Sequence, residues 1–327
     1  MASNWRRRAV AVLRWIVLAA VIAGVGHRVW REREGLAAYD RPLCWSWLLV
    51  AGVCYLAGLV PAAVFWWLTM RDRGAAPSFT RTFAAYFAGH LGKYVPGKGL
   101  VVVIRAGMMQ STGVPLATGA VTCAHETLLM MATGALVAAA AVLLAADFAR
   151  REYLLGMSLA VGVGLGVLAL PPVISRLSVL LTRPFGGTDA SQSAARWRTL
   201  GAGAAMIAVG WLLMGLSLAA VLAAMGELKA LEQRMGLVSV AGLLTGAVAM
   251  ATVGGFVSFT PGGLGSRELI LVETLGPALG TDAAVIAAVA AVLLRVVWIA
   301  AEALAAGLFW ILDHQCTRRA GRINRIN

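Results

Sequence analysis

The sequence predicts an all-α, polytopic integral membrane protein with about six full spans and two re-entrant, broken-helix pairs in two pseudo-symmetric halves. The chain has 327 residues, of which 60% are hydrophobic and only 13% charged, with a mean hydropathy of +0.81. Soluble domains average roughly 45–50% apolar and about 25% charged residues. A span needs about 20 apolar residues, so these figures predict that residues 1–327 form a single membrane domain.

The net charge of +13 raises the question of nucleic-acid binding. The basic residues lie in short loops between apolar stretches, which favours membrane orientation and anionic lipid headgroups as the explanation. We therefore expect no nucleic-acid partner. The four cysteines and four histidines show no metal-ligand spacing, so we expect no metal, no cofactor and no disulfide framework.

The first half of the chain is predicted to cover residues 43–172, after an additional, retained span at residues 9–26. Its full spans are residues 43–70, 118–146 and 153–170. Between the first two lie apolar legs at residues 83–91 and 100–109, each about half as long as a span requires. These two legs are predicted to form a re-entrant pair.

The second half is predicted to cover residues 199–312, after the long polar connection at residues 175–198. A full span at residues 200–225 is followed by an apolar stretch at 236–259 and a short leg ending at 275. The latter two form the second predicted re-entrant pair. A last span follows Gly280 and ends near residue 312.

The first break lies in residues 90–105, which read HLGKYVPGKGLVVVIR. Pro96 lacks an amide proton and disfavours helix at the residue before it, while Gly97 supplies backbone freedom. A break inside a membrane exposes peptide groups that lipid cannot satisfy, so it survives only where protein or water covers it. This stretch is therefore a candidate functional site.

The second break reads TPGGLGSRE and contains Pro261, Gly262, Gly263 and Gly265. Each break is followed by an ionisable residue deep in a long apolar span, since Glu126 follows the first and Arg295 the second. This correspondence predicts a duplicated, inverted unit. Paired interrupted segments at corresponding places in two halves indicate a transporter-like site near the membrane midplane.

Several charged residues lie within or beside the apolar segments, and an isolated charge at the bilayer centre costs at least about 2.5–3.5 kcal/mol. One interpretation is structural, with Glu126 paired to an arginine and Glu302 paired to Arg295 seven residues away. The other is a basic, water-accessible cavity, because broken helix ends and arginine forks suit phosphate. The candidate substrate-binding residues are Lys93, Lys98, Arg105, Glu126, Arg267, Glu268 and Arg295.

Orientation follows from the distribution of Lys and Arg. If the N-terminus is cytoplasmic and the two re-entrant pairs enter from opposite sides, the cytoplasmic loops carry more Lys and Arg than the outer loops. The positive-inside rule then places both termini in the cytoplasm. We expect a multi-pass protein of the cell inner membrane.

The motif GHLGKYVPGKG with Arg105 and the later HET, together with FTPGGLGSRE and Arg295, resembles the lysylphosphatidylglycerol synthase/flippase transmembrane family. The resemblance implies two re-entrant regions meeting centrally and a lipid-translocating role. Lipid-synthesising members carry a soluble aminoacyl-transferase domain after the membrane part. This sequence ends about fifteen residues after its last predicted span, so we expect no lipid aminoacylation and no enzyme activity.

The resulting hypothesis is a flippase-like transporter for a membrane phospholipid or another phosphate-bearing lipid. Arg105, Lys93 and Lys98 would contact phosphate, while Glu126 and Arg295 would balance the charge of the cavity. Two alternatives remain open: an accessory protein for a lipid-linked glycosyltransferase or other envelope enzyme, and an enzyme acting on a polyprenyl phosphate. The protein partners that we consider are a second copy of the chain, in a homodimer, and an envelope enzyme.

Overall fold

The computed structural model describes residues 42–94, 99–144, 151–182, 196–258, 261–263, 265–280 and 283–323. These residues are almost entirely helical and contain no β-strand. Short 3₁₀ turns occupy Gly92–Tyr94 and Pro261–Gly263. The α-helices are α1 Trp45–Asp72, α2 Phe79–Leu91, α3 Gly99–Gln110, α4 Leu116–Leu144, α5 Arg151–Ala169, α6 Pro171–Thr182, α7 Trp197–Ala224, α8 Leu228–Met235, α9 Leu237–Val257, α10 Ser266–Leu279 and α11 Ala283–Ile323.

Within these residues, six helices are long and apolar enough to cross a membrane, namely α1, α4, α5, α7, α9 and α11. The protein is therefore a multi-pass membrane protein. Five of the helices lie where the sequence predicted full spans, and the predicted span at residues 9–26 lies outside the described residues. The sixth, α9, was predicted as one leg of a re-entrant pair. Its 21 residues have the length of a full span because no proline interrupts the apolar stretch before Pro261.

Helices α2 and α3 form an antiparallel hairpin, which we call the first hairpin. They contain 13 and 12 residues, so neither reaches the length of a span. At the open end, Arg81 donates to Ser111 at 2.8 Å and also pairs with Asp313 of α11. Near the tip, His90 of α2 lies 2.9 Å from a guanidinium nitrogen of Arg105. The predicted legs at residues 83–91 and 100–109 lie within these two helices.

Helices α9 and α10 form the second hairpin. At its tip, the hydroxyls of Ser258 and Ser266 lie 2.9 Å apart on either side of the 3₁₀ turn. At its open end, Arg234 donates to the carbonyl of Leu279 at 3.3 Å. Helix α10 has only 14 residues, so its tip lies about 21 Å from this end. The 3₁₀ turns at the two tips contact each other.

The long helices pack closely through glycine, as is common between membrane helices. Helix α1 packs along α7 where Gly58 and Gly210 face each other. A Cβ added to Gly210 would lie 2.4 Å from the carbonyl oxygen of Gly58. In the same way, a Cβ added to Gly134 of α4 would lie 2.5 Å from the ring of Trp211. The two backbones of α1 and α7 therefore approach more closely than any larger side chain permits.

Replacing Gly210 with alanine should destabilise the protein by about 1–3 kcal/mol, because the added methyl group meets backbone rather than a movable side chain. Thermal unfolding of the purified protein in detergent measures the effect. Gly201→Ala on the same helix is the control, since a Cβ there has nothing within 4 Å. Equal midpoints for the two variants would show that the α1–α7 contact tolerates a methyl group.

Candidate functional site

A small cavity lined by apolar and charged side chains lies beside the contact between the two hairpin tips. Its volume is about 30 Å³, which is room for about two water molecules. The tip residue Tyr94 comes from the first hairpin, and all other lining residues come from α9, α10 and α11. The lining residues are Tyr94, Val248, Ala251, Thr252, Arg267, Glu268, Leu271, Ala291, Leu294, Arg295 and Trp298.

Arg267 is the basic residue of this cavity that forms no ion pair with a described carboxylate. It makes no hydrogen bond or ion pair with any residue in the part of the chain that the structure describes, and its Nε is buried without a partner. Its stem packs against two glycines. A Cβ at Gly255 would lie 2.6 Å from Cγ of Arg267, and one at Gly263 would lie 2.8 Å away. The absence of these side chains creates the space that holds the arginine.

Glu268 and Arg295 form an ion pair across α10 and α11, with both side chains largely buried. The second oxygen of Glu268 accepts the backbone N–H of Gly265 at 2.8 Å, which caps the start of α10. Arg295 also donates to the carbonyl of Gly262 at 3.1 Å. The pair therefore satisfies backbone groups that the helix break leaves exposed, as a buried break requires.

Glu302 pairs with Lys93 of the first hairpin, and the predicted pair of Glu302 with Arg295 is wrong. Seven residues along a helix separate two positions by about 10 Å, which is too far for direct contact. Glu302 is fully buried and accepts hydrogen bonds from the hydroxyls of Tyr55 and, at 3.1 Å, Tyr94. Lys93, Tyr94 and Glu302 thus join the first hairpin tip to α11.

Tyr94 and Gly262 make the contact between the two tips. Gly262 has a φ of 58°, in the left-handed region that favours glycine. A Cβ at this position would lie 2.9 Å from Cδ1 of Tyr94 and 3.1 Å from Nη2 of Arg295. Glycine therefore serves both the backbone conformation and the close approach of the tips.

Arg105 and Glu126 form a second ion pair, between α3 and α4, at 2.7 Å. Each side chain is only 2% exposed. Tyr86 donates to Glu126 at 3.2 Å, and the guanidinium of Arg105 lies 4.0 Å from the Tyr86 ring centroid. Glu126 is thus paired with an arginine, as the sequence analysis expected. Arg105 was predicted to contact phosphate, but in this structure its charge is balanced by Glu126 and enclosed by protein.

The predicted site residues therefore separate into two groups. Arg267, Glu268 and Arg295 line the cavity, with Lys93 close to it, whereas Arg105 and Glu126 form the separate buried pair. Pro96, Gly97 and Lys98 lie outside the described residues. Pro261, Gly262 and Gly263 form the 3₁₀ turn of the second tip, and Gly265, with a φ of 82°, precedes α10.

Sequence reasoning missed four residues of this region. Tyr55, Tyr94, Thr252 and Trp298 all lie in or beside the cavity, and the rings of Tyr55 and Trp298 stack with centroids 4.1 Å apart. Tyr94 stands two residues before Pro96, so its place inside the break was a usable signal. The other three lie in ordinary apolar helices that carry no such signal. No cluster of three or more metal-ligating side chains occurs among the residues in the described ranges.

Comparisons with known proteins agree with the membrane fold. No curated protein matches the chain in sequence. The sequence profile described as the lysylphosphatidylglycerol synthase TM region matches residues 8–301. This match spans both helix breaks, the ion pairs Arg105–Glu126 and Glu268–Arg295, and all six long apolar helices except the end of α11. The chain therefore belongs to the family of lysylphosphatidylglycerol synthase TM regions.

Proposed function

We propose that this protein is a flippase-like transporter that binds the headgroup of an anionic phospholipid in the cavity between the hairpin tips and helps it cross the membrane. The observation that carries the proposal is Arg267, a guanidinium that lines the cavity and forms no ion pair with any carboxylate among the described residues. A buried cation in this state is unfavourable unless an anion joins it. Membership of a family named for a phospholipid synthase supports a lipid as that anion.

The two hairpins support transport, because we infer that they are re-entrant and enter from opposite sides. The open end of the first hairpin lies beside Asp313 near the end of α11. The open end of the second hairpin, at Leu279, lies four residues before the start of α11. Since α11 is long enough to span the membrane, these ends belong to opposite faces. An inverted repeat with a central site is the arrangement of many transporters.

The size of the cavity indicates which part of the protein must move for a lipid headgroup to enter. About 30 Å³ accommodates water but no phosphodiester headgroup, so lipid entry requires the hairpin tips to separate. The contact that would open is that of Tyr94 with Gly262, while the pair of Lys93 with Glu302 keeps the first tip on α11. The sequence contains no ATP-binding motif, so we infer movement down a gradient, coupled to an ion, or driven by a partner.

Contacts between loops support an orientation in which both termini lie in the cytoplasm. Arg196 pairs with Asp72 at 3.9 Å, and Arg81 pairs with Asp313. These contacts gather the loop after α1, the connection before α7 and the end of α11 at one face. The same loops are the ones that carry the excess of Lys and Arg, and the positive-inside rule assigns such a face to the cytoplasm.

Arg267→Gln should reduce headgroup-dependent lipid translocation at least tenfold, because the cavity loses its unpaired cation while the rest of the site stays intact. The measurement is transfer of fluorescent phosphatidylglycerol between leaflets of liposomes that contain the purified full chain. Arg267→Lys should keep part of the activity, since it retains the charge and loses the bidentate fork.

Lys229→Gln is the matched control, because it removes one positive charge from an exposed position on α8. It should leave translocation unchanged. Wild-type protein that moves no lipid above the rate of empty liposomes would overturn the transport proposal, and activity unaffected by Arg267→Gln would overturn the assignment of the site. Co-purification with an envelope enzyme together with inactive liposomes would favour the accessory-protein alternative.

A further inference from the structure

Among the side chains that the structure describes, the charges in and beside the cavity add up to a single positive charge. Among the described residues, three basic side chains lie in or beside it, namely Lys93, Arg267 and Arg295, and two carboxylates, Glu268 and Glu302. Each carboxylate is already paired with a basic residue other than Arg267. One negative charge on a ligand therefore makes the site neutral, and a second has no partner.

The surroundings make a second ligand charge costly. Six of the eleven lining residues are hydrophobic and carry neither a charge nor a hydroxyl, namely Val248, Ala251, Leu271, Ala291, Leu294 and Trp298. An unpaired charge in apolar surroundings loses its hydration without compensation. Glu268 and Glu302 would also repel it at short range, because neither can move away from the cation to which it is paired.

The geometry of Arg267 adds a second constraint. Its stem is held between Gly255 and Gly263, so the planar guanidinium is presented in a fixed orientation. Such a fork pairs with two coplanar oxygens at once. A phosphodiester has two non-bridging oxygens that share one negative charge, whereas a phosphomonoester has three and carries about −1.5 to −2 at pH 7.

We propose that the cavity selects singly charged phosphodiester headgroups and discriminates against doubly charged phosphomonoesters, with the unpaired fork of Arg267 and the paired carboxylates Glu268 and Glu302 as its specificity-determining residues. The inference rests on the proposed function, since it names the substrate class of that same site. Polyprenyl phosphates and phosphatidic acid are phosphomonoesters and are therefore among the disfavoured lipids.

The test is binding of phosphatidylglycerol and phosphatidic acid with identical acyl chains to the purified full chain in detergent at pH 8, followed by native mass spectrometry. Phosphatidylglycerol should bind at least tenfold more tightly. Equal or tighter binding of phosphatidic acid would overturn the charge rule while leaving the transport proposal intact. Failure of both lipids to bind would instead overturn the proposed function.

Glu302→Gln is the diagnostic variant because it raises the charge of the site to two while its amide oxygen still accepts from one of the two hydroxyls of Tyr55 and Tyr94. It should reduce the preference for phosphatidylglycerol at least fivefold, and an unchanged preference would overturn the charge rule. Glu273→Gln removes an exposed carboxylate of α10 and should leave the preference unchanged. Circular dichroism of each variant checks that it is folded, and Glu302→Asp, which keeps the charge, should retain the wild-type preference.

A soluble diester separates the headgroup from the lipid as the source of recognition. Dimethyl phosphate at millimolar concentration should compete weakly with phosphatidylglycerol, since it offers the charge without the acyl chains. Binding as tight as that of the lipid would overturn a lipid substrate in favour of a free phosphodiester. Inorganic phosphate should compete less than dimethyl phosphate, and the reverse order would overturn the charge rule.

Discussion

Replacing Glu126 with leucine should destabilise the protein by about 3–5 kcal/mol, which is the cost of removing one partner of a buried ion pair. The large value follows from burial, since Arg105 and Glu126 are each 2% exposed. Without Glu126 the guanidinium keeps only aromatic faces, the thiol of Cys123 and His90 as neighbours. The midpoint of thermal unfolding in detergent measures the loss.

The double variant Arg105→Met with Glu126→Leu should recover most of this stability, because it replaces both charges by apolar groups of similar size. Recovery of stability would show that the loss in Glu126→Leu comes from the uncompensated charge of Arg105 and not from lost packing. A double variant no more stable than Glu126→Leu alone would contradict this explanation. Glu273→Gln serves as the control and should change the midpoint little, because that carboxylate is exposed.

Gly262→Val should impair both stability and translocation, with a loss of about 2–4 kcal/mol in the free energy of unfolding. Two costs combine at this position. A β-branched residue is strained at the φ of 58°, and its Cβ would lie 2.9 Å from Tyr94, which forces the tips apart. Thermal unfolding and the liposome assay measure the two effects.

Gly113→Val measures the backbone strain of valine at positive φ without a steric clash. Gly113 has a φ of 86° and a Cβ there meets nothing within 4 Å, so valine is strained without displacing a neighbour. We expect it to lower stability less than Gly262→Val and to leave translocation unchanged. If both variants lost translocation equally, contact between the tips would have no special role in transport.

Much of the fold could be predicted from the sequence because hydropathy, length and helix breakers act locally. The bounds of α5 and α7 agree with the predicted spans within a few residues, and the proline–glycine motif at Pro261 ends α9 near the expected place. The stretch at residues 236–259 was predicted as one leg of a re-entrant pair, and α9 lies within these bounds with the length of a full span. An apolar stretch of 21 residues can cross the membrane whether or not a break follows.

The site was less predictable because its contacts join residues that are distant in sequence. Spacing on α11 suggested that Arg295 and Glu302 are partners, but each is paired with a residue on another element. Arg105 and Arg267 look alike in sequence, since both follow a proline–glycine motif. Only packing shows that Arg105 has Glu126 beside it, whereas Arg267 lies in a glycine cradle with no described carboxylate in contact.

The length of α11 has a consequence for how the protein contacts the membrane surface. The helix contains 41 residues, or about 60 Å at 1.5 Å per residue, whereas a bilayer with its headgroups is about 40–45 Å thick. The ion pair of Asp313 with Arg81 marks where α11 reaches polar surroundings. The turns of α11 that follow Asp313 then extend along or beyond the headgroup layer. About 15 Å of the helix therefore exceeds the thickness of the bilayer with its headgroups, so α11 must tilt or continue past the membrane surface.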